Sequence, residues 1–376
     1  MVTLRKPEEP PTLLEPRLNP YLIGHENAER EFLAAWDSGR LAHAWLLAGP
    51  RGIGKATMAY RMARYALAQG GNIAENDMFG APPKPTSLAV SPEDPVFRRV
   101  ASLGHADFRV VERPWSDSKQ TKRKTVIGVD EVREIGGFLS MTPSEGGWRA
   151  IVIDAADEMN PNAANAVLKV LEEPPERALL FLVAHNADRL LPTIRSRCRK
   201  LDLRPLREQQ VTSLLNRYSP DIAPKDVAAL AVLGDGSIGR ALELSEEGGV
   251  ELFRDLMTLL GEVPKLNASK LHGLSDQALR GDAFRTLSGL LGWWLARIVA
   301  AGARGMIDSM SEIVPGERTL ARRLLAAAPP AAWAEVWDKI GHLARRTEAI
   351  NLDRKRSLML MLWSIEQAVA KAPAAA

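Results

Sequence analysis

Apolar residues fall at helical spacing in residues 27–39, where Phe32, Leu33 and Trp36 share one side, so this stretch is predicted as a helix. A short unbroken apolar run follows at 43–48, the length of a strand. A glycine-rich turn over 49–55 and a helical pattern over 56–68 come next. Strand, glycine loop and helix in that order open a phosphate-binding α/β unit. Residues 70–95 turn to Gly, Pro, Asn and Ser with little periodicity and are expected to form an exposed insertion. Further strands are expected at 108–112, 148–154, 178–184 and 199–203. Nearly continuous apolar runs such as 148–154 mark parallel strands buried on both faces. Helical spacing occupies 129–141 through Val132, Ile135 and Leu139. It returns after Asn160, where Ala163, Ala166, Val167, Val170 and Leu171 share a face. Asn160 can cap that helix, Pro161 suits its first position, and Pro174 and Pro175 stop it. Strands alternating with helices predict a doubly wound parallel sheet.

Beyond Pro205 the pattern is helical throughout. Short segments at 208–217, 225–233 and 237–246 are punctuated by Gly234 and Gly236, and longer helices follow from Val250. In one of these, Trp333, Val336, Trp337, Ile340, Leu343, Ala344 and Thr347 form a single face, and the tryptophans are expected to be core. The last helix, around residues 358–363, is apolar nearly all round and is expected inside a bundle or a subunit interface. The pattern therefore divides the chain into an α/β part at 1–205, short helices at 206–248 and a second helical part at 249–376.

The chain has 376 residues, 46% of them hydrophobic, enough for two or three domains with cores of their own. A net charge of +3 is compatible with nucleic acid nearby but does not require it. The basic residues Lys119, Lys122, Arg123 and Lys124 read as a solvated loop, because no aromatic residues interleave with them. A single cysteine, Cys198, excludes an internal disulfide and a cysteine-cluster metal site. The first twenty residues lack the apolar core of a signal peptide, and the apolar stretches at 290–294 and 358–363 are too short to cross a bilayer. A cytoplasmic, reducing location without membrane attachment is the expectation.

Three motifs carry chemistry. Gly49, Gly52 and Gly54 let the loop turn its N–H groups toward an anion, and Lys55 supplies charge for β- and γ-phosphates. The next residue is Ala56, where a magnesium-binding Ser or Thr hydroxyl belongs. Thr57 points about 100° further round the helix and does not replace it. The apolar strand ending at Asp154 supplies the second acidic motif, but Ala155 stands where an ATPase carries the glutamate that orients water. Asp157 and Glu158 follow on other sides of the turn. Together the two alanines argue against hydrolysis. Third, Ser196, Arg197 and Cys198 precede the final strand. Spacing alone does not decide whether Arg195, Arg197 or Arg199 would reach a phosphate.

Taken with Leu22, Ile23, Gly24, His25, His43, Ala44 and the run Leu171-Glu-Glu-Pro-Pro175, these motifs resemble the clamp-loader subunits of bacterial AAA+ proteins over most of residues 19–205. The resemblance implies an AAA+ P-loop α/β domain at 1–205, a helical lid at 206–248 and an all-helical collar at 249–376. It selects Arg197 as a finger reaching the γ-phosphate of ATP on a neighbouring subunit. At the segment resembling the lid's nucleotide-sensing helix, Gly239 replaces the family's arginine and Arg240 is displaced by one. A degraded ATPase site beside an intact Ser-Arg-Cys implies the non-hydrolysing member rather than the gamma/tau motor, which stays the alternative. The implied partners are gamma/tau and delta subunits, with the β clamp and primer-template DNA reached through the complex. No cofactor is required by this reading, and residual ATP or ADP binding at Gly49, Gly52, Gly54, Lys55 and Thr57 stays open. The four-cysteine zinc module of many relatives has no counterpart in residues 70–103, so zinc is not expected.

Overall fold

The structure, a computed structural model, describes residues 15–70, 85–116, 123–145 and 147–370. Two compact units are present. The first runs to Gln210 and takes in Arg217–Pro220 and Gly236–Ile238; the second holds Val211–Asn216, Asp221–Asp235 and the chain from Gly239.

The first unit is a three-layer α/β structure. Its strands are β1 (Ala44–Ala48), β2 (Phe108–Glu112), β3 (Arg149–Asp154), β4 (Ala178–Ala184) and β5 (Arg199–Asp202). They form one sheet in the order β2-β3-β4-β1-β5, and every pairing is parallel. Both faces are covered, which is why β1 and β4 are apolar at every position. Alternate residues feed opposite cores. Trp45, Leu47, Phe181 and Val183 meet α1 (Glu26–Asp37) and α2 (Lys55–Gly70) through Phe32, Met58 and Met62. On the same side lies α3 (Pro95–Ala101), capped by Asp94. Leu46, Ile151, Ile153, Leu180 and Leu182 meet α4 (Val129–Ser140) and α5 (Pro161–Glu172) through Ile135, Leu139 and Val167. The expected cap of α5 is in place: the Asn160 side chain accepts from the Ala163 N–H, with Pro161 at the first position. A short helix, α6 (Pro192–Arg195), leads into β5.

The insertion expected to be exposed at 70–95 is exposed at most of its described residues, with a correction at Leu88. Leu88 is wholly buried in the α1–α2 core, and its N–H donates to Glu29 Oε1 at 2.5 Å. The same oxygen accepts from Ser87 Oγ and pairs with Arg61. A single leucine among turn-forming residues carries no periodicity, so the pattern could not reveal it. Residues 71–84 of that insertion and Lys119 and Lys122 lie outside the described residues. Arg123, expected to be solvated, instead stacks on Trp115 at 4.3 Å and pairs with Glu112.

Nine helices follow among the described residues: α7 (Glu208–Tyr218), α8 (Pro224–Leu233), α9 (Ile238–Glu246), α10 (Gly249–Leu260), α11 (Ala268–Gln277), α12 (Ala283–Ala303), α13 (Glu317–Ala327), α14 (Pro330–Ala349) and α15 (Arg354–Ala370). Helix α12 holds the run at 290–294 and is longer than it: at 21 residues, with a mean hydropathy of 1.2, it is long and apolar enough to cross a membrane by length and composition alone. Leu287, Leu290, Leu291, Trp294, Leu295 and Ile298 are nonetheless buried, as in a core helix. Its Trp294 Nε1 donates to the buried carboxylate of Glu317, which also accepts from Arg297 and the Ile313 N–H. Helix α14 buries Trp333, Val336, Ile340 and Thr347 but leaves Trp337 49% exposed, so the apolar face is narrower than its sequence suggested. In α15, Leu358, Met361, Leu362 and Ile365 are buried while Leu360 and Trp363 are exposed.

The burial of Leu88 leads to a measurable expectation. Leu88→Ala should lower unfolding free energy by about 2–5 kcal/mol in urea denaturation, the range for removing a fully buried leucine. A loss below about 1 kcal/mol would mean that residues 87–88 are not part of the core.

Candidate functional site

The glycine loop leaves β1 at its C-terminal end. A Cβ on Gly49 (φ +152°) would lie 2.3 Å from the Leu203 carbonyl oxygen, so only glycine fits. Leu203 itself continues the β5 ladder, donating its N–H to Ala48 at 2.8 Å. From the other side His25 Nε2 donates to the Ile53 carbonyl at 2.7 Å, while Ile53 fills the core. Burial lowers the His25 pKa, which keeps the ring neutral. Lys55 opens α2 and is only 3% exposed, with Nζ donating to the Pro50 carbonyl at 2.5 Å. Burial brings its pKa down to about 8, against the opposing pull of Asp154 and Asp157.

Asp154 ends β3, in register with Glu112 at the end of β2. Burial first, and Glu112 second, push its carboxyl up to about 6. Ala155 is buried and offers no acceptor. The two neighbouring acids have other work: Asp157 accepts the N–H groups of His185 and Asn186 at 3.0 and 2.8 Å, and Glu158 pairs with Arg113 at 2.7 Å. Ala56 follows Lys55, and Thr57 is 8% exposed, on the packed side of α2. The structure thus brings Gly49, Gly52, Gly54, Lys55 and Asp154 to one edge of the sheet and assigns Thr57 to the interior. This arrangement fits a phosphate group. It does not fit a magnesium ion with an activated water, since both oxygen donors are replaced by methyl groups.

His185, at the end of β4, was missed by sequence reasoning. Burial, followed by the Lys55 charge, drives its pKa down to about 4, leaving a neutral imidazole beside the loop. Its place at the carboxyl end of a parallel strand was the available signal, because ligand sites of such sheets lie there.

The arginines lie elsewhere. Pairing of Trp45 with Arg199 and of Ala48 with Asp202 fixes the register of β5 on β1. Arg197 therefore sits before the start of β5, level with the entry to β1, while the loop leaves the far end. Four residues of strand, roughly 13 Å, separate the start of β5 at Arg199 from Leu203 beside the loop, and Arg197 lies in the turn before that strand. Each arginine has its own acid. Arg195 pairs with Asp188 at 2.7 Å. Arg199 pairs with Glu31 at 2.9 Å and lies over the buried Trp45 ring at 4.9 Å. Arg197 Nη2 meets Glu172 at 2.9 Å and Nη1 donates to the Thr193 carbonyl at 3.2 Å, with its side chain 37% exposed. Cys198 between them is half-buried, and burial pushes its thiol up to about 12, so it packs rather than reacts. In the helical unit, Arg240 stacks over Trp293 at 5.6 Å.

Residues 24–207 match the family described as DNA polymerase III, delta subunit. DNA polymerase III subunit delta' of Pseudomonas aeruginosa is 29% identical over 299 residues, spanning 80% of this chain and 66% of that protein. DNA polymerase III subunit tau of Bacillus subtilis is 25% identical over 280 residues, spanning 72% of this chain and 45% of that protein. The chain thus spans no more than about two thirds of either relative. A gamma-subunit-related protein of Thermotoga maritima superposes with a TM-score of 0.38 at 19% identity, covering 87% of this chain and 95% of that one.

The buried ammonium gives a pH-dependent test. Below about pH 8 Lys55 carries its proton folded or unfolded, and its burial cost is present in full. Between about 8 and the ordinary lysine value near 10.4, the folded state sheds the proton first, so stability rises with pH. Lys55→Met lacks this group. It should melt roughly 2–5 °C above wild type at pH 7.5, with the gap narrowing by pH 10. A gap that stays constant across that range would contradict the burial cost assigned to Lys55.

Proposed function

We propose, for a chain that belongs to the DNA polymerase III delta-prime family, the role of a non-hydrolysing subunit in the polymerase's clamp loader. In this role it joins gamma/tau and delta subunits in a hetero-oligomeric ring and helps place the β sliding clamp on primer-template DNA in the cytoplasm. The helices at 206–248 act as the lid, and those at 249–376 as the collar that closes the ring. Arg197 is the group it presents to ATP bound by a neighbour.

One observation carries this reading: the phosphate loop and Arg197 stand at opposite ends of two neighbouring parallel strands, β1 and β5. An arginine in the turn before β5, at least a strand's length (roughly 13 Å) from its own loop, does not serve that loop, yet suits a ring in which one subunit faces the next subunit's nucleotide. Its guanidinium would stabilise charge gathering on the transferring phosphoryl group without needing a metal or a base of its own. Ala56 and Ala155 oppose the alternative of a gamma/tau-like motor, and the neighbouring carboxylates of Asp157 and Glu158 are occupied by structural partners. The phosphate loop can still hold ATP or ADP, as a structural ligand that is not turned over.

The test is a reconstituted complex with Arg197→Ala. A finger is worth on the order of 10³-fold at its own site. Since other sites keep theirs, DNA-stimulated ATP hydrolysis should fall in part and clamp loading should fall further. The side chain is exposed, so folding and assembly should be unchanged. Arg199→Ala should leave the rate near wild type, because that guanidinium is tied to Glu31 and Trp45. If Arg197→Ala matches wild type in both assays, the trans-acting role falls.

A further inference from the structure

Glu172 sits at the last position of α5, where a negative charge faces the unfavourable end of the helix dipole. Its carboxylate is the acid partner of Arg197, at 2.9 Å, and both side chains are open to solvent, at 52% and 37%. The end of α5 is fixed by another residue without a role so far. His43 Nε2, just before β1, donates to the carbonyl of Leu171 at 3.2 Å. His43 therefore ties the helix end to the entry edge of the sheet, the edge at which Arg197 stands. Thr193, in α6, holds the guanidinium from the other side through its carbonyl.

We propose that Glu172 is a positioning residue that parks Arg197 in the isolated subunit and gives it up to a neighbour's phosphate, with His43 setting the acid in place. This rests on reading Arg197 as a trans-acting finger. The exchange balances in charge: the guanidinium leaves one carboxylate for a phosphate oxygen, and the carboxylate returns to water. Solvent exposure makes the exchange cheap. An exposed ion pair is among the weakest charged interactions, whereas a guanidinium on a phosphate can form two parallel charge-assisted hydrogen bonds. The parked state also holds the guanidinium between Glu172 and the Thr193 carbonyl, instead of free to pair with other acids.

The direct measurement is steady-state ATPase of the complex reconstituted from full-length chains, with Glu172→Gln, Arg197→Ala and the double variant. Without its acid, Arg197 should engage the neighbour's ATP more readily. Glu172→Gln should lower the KM for ATP by about two- to fivefold, the span of a weak exposed pair, with kcat nearly unchanged. In the Arg197→Ala background the same change should do nothing. Glu172→Asp, which keeps the charge, should return KM toward wild type. Equal effects of Glu172→Gln with and without Arg197, no effect on KM at all, or a raised KM that depends on Arg197 would each overturn the parking role. A silent Arg197→Ala would instead remove the finger itself, so the two failures are told apart.

Discussion

Strand β1 hydrogen-bonds to β4 on one side and β5 on the other, all running the same way, with β1 and β4 buried throughout and β5 buried at Leu201. Parallel pairing gives such a sheet two chemically different edges, because every strand enters at one and leaves at the other. Loops after β1, β3 and β4 carry Lys55, Asp154 and His185 to the exit edge. The turn before β5, the end of α5 and the start of β1 bring Arg197, Glu172 and His43 to the entry edge. The register leaves no freedom here: slipping β5 by one residue would turn Leu201 out of the core and Lys200 into it. Separation of the phosphate loop from the Arg197 cluster is therefore written into strand direction, before any side chain is considered.

That constraint also accounts for a phosphate loop kept in a chain with alanines at 56 and 155. The loop is part of the core's upper lid. Ile53 is 1% exposed, Gly49 lies against the Leu203 carbonyl, and His25 holds the turn from outside. Removing the loop would open the end of the sheet. Ala56 and Ala155, in contrast, carry no oxygen atom that the fold would need to satisfy. Chemistry is thus easier to lose than architecture. What stays behind is electrostatically unfavourable: an ammonium brought down to about 8 and a carboxyl held up near 6, each partly compensating the other.

Much of the α/β unit was legible in the sequence, since buried parallel strands print unbroken apolar runs. The strands at 108–112 and 178–184 have the bounds that pattern predicts, and the Asn160 cap with Pro161 announced α5. Less legible were contacts that depend on one residue meeting another far away. Leu88 has no periodic neighbours, and Trp115 meets Arg123 eight residues later in the chain, so neither leaves a local signature. The phosphate loop was readable because backbone geometry demands glycine at fixed places. His185 and Glu172 were not, because a histidine after a strand and a glutamate at a helix end are ordinary until the register places them beside Lys55 and Arg197. In the helical unit the sequence marked apolar faces but not their width, hence the exposed Trp337.

Three arginines in five residues share this edge, and their anchors rank them. Arg199 is held twice, by Glu31 and by stacking on a fully buried indole, so drawing it away would give up a desolvated contact as well as an ion pair. Arg195 turns back to Asp188, seven residues earlier, and so serves its own turn. Arg197 alone is shared between a carboxylate on another helix and a main-chain carbonyl in its own turn, one through each terminal nitrogen. A lysine could satisfy either partner but, as a flexible point charge, would not fix the direction of approach. The guanidinium's planar fork does, and the same two nitrogens that are held in the isolated chain are the pair a phosphate would accept. Recognition and storage thus use one geometry, and the weaker of the two partners is the one built into this chain.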